Sequence, residues 1–202
     1  MQNELDPTDW ENRYREGSTP WEKGAPAPPL LEYLSEHEVS GQILVPGCGF
    51  GHDVRALAGA SEAAQVIGLD ISASAIEAAD EHEKTGSESY VHADLFDLPQ
   101  DLVGSCDYVF EHTCLSGLPP GLRTAYVEAF HSALKPGGKV LAIFFLTPWD
   151  EGETPEPPPY GVTTEELDQM FSDRFELERE WVPTEHYPGR EGRELMRLLK
   201  KL

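Results

Sequence analysis

The chain has 202 residues, 37 of them acidic and 15 basic, for a formal net charge of −22. That length suits one domain, and a hydrophobic fraction of 39% is enough for a core, which argues against global disorder. A surface this negative repels phosphate backbones, so nucleic acid and anionic membrane are poor partners, and it repels anionic small molecules at long range.

Other classes drop out as quickly. Residues 1–9 are polar and acidic, and the longest apolar run, residues 140–146, is far short of the roughly 20 residues a membrane helix needs. Neither a signal peptide nor a membrane span is expected. Cys48, Cys106 and Cys114 are too few, and odd in number, for a disulfide framework, and they fit a reducing cytoplasm. The histidines and cysteines show no metal-ligand spacing, so no metal is expected.

Along the chain, Pro20, Pro26, Pro28 and Pro29 make residues 20–29 a poor helix and a poor strand. A helix is predicted next, with Leu30, Leu31 and Leu34 on one face. Residues 42–45 form a short apolar strand that breaks at Pro46-Gly47. Residues 53–60 read as a helix with Val54, Leu57 and Ala58 inward. A strand over 65–69 ends at Asp70, and Ser72 caps a helix over 73–84. Residues 89–93 form a strand ending at Asp94. Residues 107–110 form another, with the polar end Glu111-His112. A helix over 119–134 ends at Lys135-Pro136-Gly137-Gly138, where a glycine can take a left-handed cap. Residues 140–146 read as a buried strand. In the tail, residues 151–159 form an acidic, proline-rich loop. A short helix capped by Thr163 or Thr164 runs to Met170, and strands follow over 175–182 and 194–199.

Strand and helix alternating in this way predict an α/β fold. It is a Rossmann-like, doubly wound, mostly parallel seven-stranded sheet with an antiparallel C-terminal pair. Residues 1–40 form an aromatic N-terminal cap, 41–146 the cofactor-binding core, and 147–202 the C-terminal addition, all in a single domain. Ligands in such sheets bind beyond the C-terminal strand ends.

Three successive strand ends carry chemistry. Gly47-Cys48-Gly49-Phe50-Gly51 follows the first strand, and its glycines let the backbone turn sharply and approach a ligand. Asp70 follows the second strand, roughly 20 residues on, where a carboxylate can accept both ribose hydroxyls. Asp94 follows the third and can accept an adenine amino group. Any one of these is weak; all three falling at successive strand ends is not a chance pattern.

This constellation, with Leu134-Lys135-Pro136-Gly137-Gly138-Lys139-Val140-Leu141, resembles the class I S-adenosylmethionine-dependent methyltransferases. Val45-Pro46-Gly47-Cys48-Gly49, Trp10-Glu11-Asn12-Arg13-Tyr14 and Thr19-Pro20-Trp21 resemble the thiopurine methyltransferase family. Gly51-His52-Asp53-Val54, Gly68-Leu69-Asp70-Ile71-Ser72 and Pro159-Tyr160 are most similar to its thiol, thiocyanate and halide methyltransferases. The resemblance implies S-adenosyl-L-methionine as cofactor. It implies contacts from Trp10, Tyr14, Trp21, Gly47, Cys48, Gly49, Gly51, Asp70, Ile71, Asp94, Leu95, Glu111 and His112. Tyr14 stands where relatives often have Trp, and His112 where the plant relatives have Tyr. Phe145 stands where the plant halide enzymes have a substrate-contacting Tyr, which weakens the case for halide and allows a more apolar thiol.

The implied reaction is methylation of a small molecule, foremost S-methylation of a thiol or related soft anion by in-line displacement. Such a reaction gains from alignment and from water exclusion. His112, Phe145 and Trp149 are the expected acceptor-side residues, with His112 the candidate base for a neutral thiol. Glu111 could orient its imidazole or touch the cofactor. The cysteines read as packing residues rather than nucleophiles. Alternatives are an N-, O- or carboxyl-methyltransferase, an NAD-binding oxidoreductase (which lacks a Tyr-x-x-x-Lys motif), or a protein that binds without turnover. A cytoplasmic monomer acting on a small-molecule acceptor is expected. Acid excess with only six lysines suits a salt-rich cytoplasm, and long-range repulsion favours a neutral thiol over a halide.

Overall fold

The computed structural model describes residues 7–150, 152 and 156–202. Residues 1–6 of the acidic opening segment, and 151 and 153–155 of the expected proline-rich loop, lie outside them. No described helix is long and apolar enough to cross a membrane.

Strands β1 (Gly41–Pro46), β2 (Ala64–Asp70), β3 (Ser87–His92), β4 (Cys106–His112), β5 (Leu134–Phe145), β6 (Phe175–Trp181) and β7 (Glu194–Lys201) form one sheet. Their order is β3-β2-β1-β4-β5-β7-β6. The first five run parallel, and β7 runs antiparallel to both β5 and β6. The order reverses between β1 and β4, and that switch point opens a crevice at the strand ends.

The central strands bury both faces, and their side chains divide with period two. Leu44, Val109, Val140, Ala142 and Phe144 pack with Tyr126 and Phe130 of α6 (Arg123–Ala133) and Leu167 and Phe171 of α7 (Thr164–Phe171). Ile43, Val45, Phe110, Leu141 and Ile143 pack with Leu30 and Tyr33 of α2 (Pro28–Glu36) and Val54 and Leu57 of α3 (His52–Ala60). The Ser72 side chain caps α4 (Ala73–Asp80) by accepting from Ala75 N at 3.1 Å, and Thr163 caps α7 in a reciprocal box with Glu166.

The structure corrects several sequence expectations. Two helices carry no sequence expectation, α1 over Pro7–Arg15 and the short α5 over Cys114–Gly117. Leu31 is 48% exposed, while Tyr33 joins Leu30 and the partly buried Leu34 on the inner face of α2. Helix α4 stops at Asp80 rather than 84, because Asp80, Glu81 and Glu83 crowd a helix end that disfavours negative charge. The expected helix over 119–134 begins as a 3₁₀ turn at Pro120–Leu122 and turns α-helical only at Arg123. Lys135-Pro136-Gly137-Gly138 does not cap it: α6 ends into an extended Leu134, and these residues lie within β5, where the register against β4 shifts. Between β3 and β4 the chain crosses by turns without a helix.

Candidate active site

A cavity of about 630 Å³ opens beyond the C-terminal ends of the parallel strands, between the sheet and the N-terminal cap. The sequence-predicted residues Trp10, Tyr14, Trp21, Gly47, Cys48, Gly49, Asp70, Ile71, Asp94, Leu95, His112 and Phe145 all line it.

One half is built from the loop after β1. Gly47 and Gly49 have φ of +60° and +52°, a region that costs a side chain strain. Asp70, buried at the end of β2, holds this loop from below. Its Oδ2 accepts from Gly49 N and its Oδ1 from Ser72 N, both at 2.9 Å. Burial pushes the Asp70 carboxyl above its ordinary range, against the pull of those amides. Each oxygen keeps a lone pair beyond its amide bond, enough to accept a diol. Asp94 fixes its own turn by accepting from Phe96 N at 2.8 Å through Oδ1.

The cap closes over this half. Trp21 Nε1 donates to Tyr14 Oη at 3.2 Å, and the Trp21 ring meets Trp10 and Tyr14 edge-on at 5.3 and 5.7 Å. A Cβ on Gly49 would stand 3.0 Å from Tyr14 Oη, so a side chain there would press the cap outward by a few tenths of an ångström. Burial pushes the Tyr14 hydroxyl far up, so it stays neutral. Glu11 ties α1 to the start of α4: its carboxylate accepts from Ser72 Oγ and Ser74 Oγ at 2.7 Å and from Ser74 N at 3.1 Å. Those serine bonds hold its carboxyl down to about 2.

The glycine cradle, the diol-accepting Asp70 and an aromatic wall that can face a sulfonium together fit the expected S-adenosyl-L-methionine. Cys48 and Cys114 line the same half, and burial pushes both thiols well up, which suits packing rather than nucleophilic attack.

The other half centres on His112 at the end of β4. Its Nδ1 lies 2.7 Å from Asp53 Oδ2, and its Nε2 lies 3.5 Å from Arg190 Nη1. Its ring stacks on Tyr187 at 6.1 Å. Burial alone would lower the His112 imidazole, but the Asp53 charge and hydrogen bond outweigh it and the net direction is up. Asp53 is moved the other way: burial raises it, His112 and the Ala27 amide lower it, and the net direction is down. Arg190 is 8% exposed, pairs with Glu194 Oε1 at 2.9 Å and lies 4.5 Å over the Phe145 ring.

Three predicted residues stand apart from the cavity. Gly51 does not line it; with φ +72° it starts α3, and a Cβ there would meet the Tyr90 ring at 2.7 Å. Trp149 turns away, its Nε1 donating to Pro159 O at 3.1 Å beside a separate hollow. Glu111 is fully buried beneath the floor because alternate strand residues point to opposite faces. Its Oε1 accepts from Leu115 N at 2.8 Å, while its Oε2 and the neighbouring Tyr126 Oη interact without a well-formed hydrogen bond. Burial pushes its carboxyl up to about 7.

Sequence reasoning passed over Asp53, Arg190, Tyr187 and Arg13 as site residues. Asp53 reads in the sequence as a helix start and part of a family motif, not as a partner of His112, and Arg190 and Tyr187 flank a Pro-Gly turn far along the chain from it. Among the described residues, no group of three or more His, Cys, Asp or Glu side chains is placed to hold a metal ion.

The thiopurine S-methyltransferase family model matches residues 5–187. Probable thiol methyltransferase 2 of Arabidopsis thaliana is 32% identical over 167 residues, covering 80% of this chain and 70% of that protein. Thiocyanate methyltransferase 1 of Brassica oleracea is 33% identical over 169 residues, with the same coverage of 80% and 70%. Among solved structures, the Burkholderia thailandensis 1,6-didemethyltoxoflavin-N1-methyltransferase, with 1,6-didemethyltoxoflavin and S-adenosylhomocysteine bound, superposes with a TM-score of 0.72 at 18% identity. The match covers 96% of this chain and 86% of that one, a likeness of fold.

Proposed function

The chain belongs to the thiopurine S-methyltransferase family, and on that premise we propose that it methylates the sulfur of a small thiol or related soft anion, with S-adenosyl-L-methionine as methyl donor. The observation that carries the choice of acceptor is the placing of His112 beside Arg190, which lies over the Phe145 ring, at one end of the cleft. A base beside a cation, against an aromatic wall, suits a sulfur nucleophile that enters neutral or anionic and reacts as the thiolate. The names of the thiol and thiocyanate methyltransferases among its relatives support the same reading.

The bound donor supplies an electrophilic methyl group on a sulfonium. Gly47, Gly49 and Asp70 hold its nucleoside end, with Asp94 and Leu95 beside the base. Trp10, Tyr14 and Trp21 close over it and exclude water. Exclusion matters because the displacement joins opposite charges, and a solvated thiolate is a poorer nucleophile than a desolvated one. Phe145 and Tyr187 shape the acceptor end, and Arg190 holds a sulfur anion there. The whole chain acts as one cytoplasmic, monomeric domain without a nucleic-acid partner; its acid excess and its three unpaired cysteines support that.

The test is a methylation panel of hydrosulfide, methanethiol, an aromatic thiol, thiocyanate, iodide and a thiopurine, run alongside calorimetry with S-adenosylhomocysteine and NAD. Turnover of at least one sulfur acceptor, with S-adenosylhomocysteine bound at micromolar concentration, is expected. No turnover of any panel member overturns the S-methylation reading, and binding of NAD instead overturns the cofactor.

A further inference from the structure

We infer that Asp53 positions His112 as the general base that removes the proton from a neutral thiol, so that un-ionised thiols and pre-formed anions use the same cleft by different routes. This rests on the S-methylation reading above. An ionised carboxylate only accepts, so the 2.7 Å contact to Asp53 Oδ2 requires the hydrogen on Nδ1 and leaves the Nε2 lone pair facing the cavity. Asp53 is itself fixed: its Oδ1 accepts from Ala27 N at 2.7 Å, and it stands in the first turn of α3. The imidazole stacks loosely beside Tyr187, with the ring planes 22° apart and the centroids 6.1 Å apart. The contact from Nε2 to Arg190 Nη1 is long at 3.5 Å, and Arg190 has its shorter bond to Glu194, so Nε2 has no strong partner to give up.

Other groups lining the cavity are engaged or stay protonated. His52 Nε2 is paired with Glu22 at 2.9 Å and its Nδ1 with Arg55 at 3.2 Å. Both oxygens of Asp70 hold backbone amides. Cys48, Cys114, Tyr14 and Tyr187 are all pushed up by burial. In the step itself the S–H bond breaks, its proton goes to Nε2 and its electron pair stays on sulfur, beside Arg190. That pair then forms the new S–C bond as the methyl–sulfonium bond of the donor breaks, its electrons leaving with neutral S-adenosylhomocysteine.

The charged and titratable groups facing His112 are Asp53 from α3, Arg190 and Tyr187 from the segment before β7, Glu194 from β7, and its own neighbour Glu111 on β4. Of these, Asp53 makes the close contact, and removing its charge isolates the effect. With an alkyl thiol, un-ionised at pH 7, and thiocyanate, ionised throughout, Asp53→Asn is expected to lower the ratio of the two kcat/KM values by about tenfold or more. The acid limb of the alkyl-thiol pH profile moves to lower pH, and the His112 imidazole, titrated by NMR in the cofactor-free protein, moves the same way. Equal loss on both acceptors, or an unmoved imidazole titration, overturns the inference. If Asp53→Asn does not fold, His112→Gln must show the same collapse of the ratio, and an unchanged ratio there overturns it. A wild-type protein that methylates neither acceptor overturns the S-methylation reading, and the imidazole titration then still decides whether Asp53 sets the state of His112.

Discussion

Replacing Glu111 with glutamine is expected to stabilise the protein, and to do so only above mild acid pH. The carboxyl is fully buried, has one oxygen without a well-formed hydrogen bond, and is raised by burial from 4.5 to about 7. An unfolded chain ionises this group near its ordinary value, so the folded state binds the proton more tightly. Below pH 4.5 both states are protonated and the group costs nothing. As pH rises from there the unfolded state is increasingly favoured, and the loss is complete once pH passes the folded value of about 7. At about 1.4 kcal/mol per pH unit, the penalty reaches about 3 kcal/mol at pH 8. Glutamine keeps the shape, keeps an oxygen for Leu115 N and offers an N–H to the neighbouring Tyr126 Oη. For a chain of this length the gain corresponds to a rise in Tm of roughly 6–12 °C at pH 8. Thermal and urea unfolding of both proteins across pH 4.5–8 tests it, since the difference between them cancels the pH dependence of the remaining acids. A constant difference across that range refutes the reasoning, and so does a less stable variant at pH 8.

Three further outcomes are expected. Glu11→Ala loosens the cap by about 1 kcal/mol after solvent screening, weakening S-adenosylhomocysteine binding about fivefold by calorimetry; because its carboxyl is held down to about 2, the wild-type latch is intact above pH 4.5 and fades only as pH falls toward 2. Asp70→Ala removes the acceptor of the Gly49 and Ser72 amides together with the diol site, and S-adenosylhomocysteine binding is lost in the same assay. Added salt raises the wild-type Tm steadily, because net repulsion at −22 is screened over about 10 Å at 0.1 M and about 3 Å at 1 M.

The features legible in the sequence were those with a local signature. The first three parallel strands each ended in glycine or aspartate, and that rhythm placed the glycine loop, Asp70 and Asp94; the fourth and fifth were legible from their apolar residues. Helix α1 left no such mark: among its nine residues only Trp10 and Tyr14 are large apolar side chains, and what holds it is Glu11 reaching Ser72 and Ser74. Gly137 carried the right local message, a φ of +73°, but serves a strand irregularity rather than a helix end. Trp149 follows the fifth strand as a site residue would, yet the chain turns there and its indole finds Pro159. Arg190 is invisible in one dimension, because only the antiparallel return of β7 beside β5 brings the turn before it against His112 and Phe145.

That return also changes what the net charge means for the substrate. From composition alone, −22 argued for a neutral acceptor, since the surface field opposes any anion. The cavity does not share the surface's balance. It is lined by four basic side chains, Arg13, Lys23, Arg190 and Arg193, and by four acidic ones, Glu22, Asp53, Asp70 and Asp94, whereas the chain carries 15 and 37. Of those acids, Asp53 is bonded to His112, Glu22 to His52, and Asp70 to backbone amides. The repulsion therefore acts on approach, where salt screens it, more than at the site, where the proposed acceptor end holds Arg190, itself paired with Glu194. Approach governs how often an anion enters, and the site governs what it does once inside, so an acidic exterior and a thiolate chemistry are compatible in one small domain.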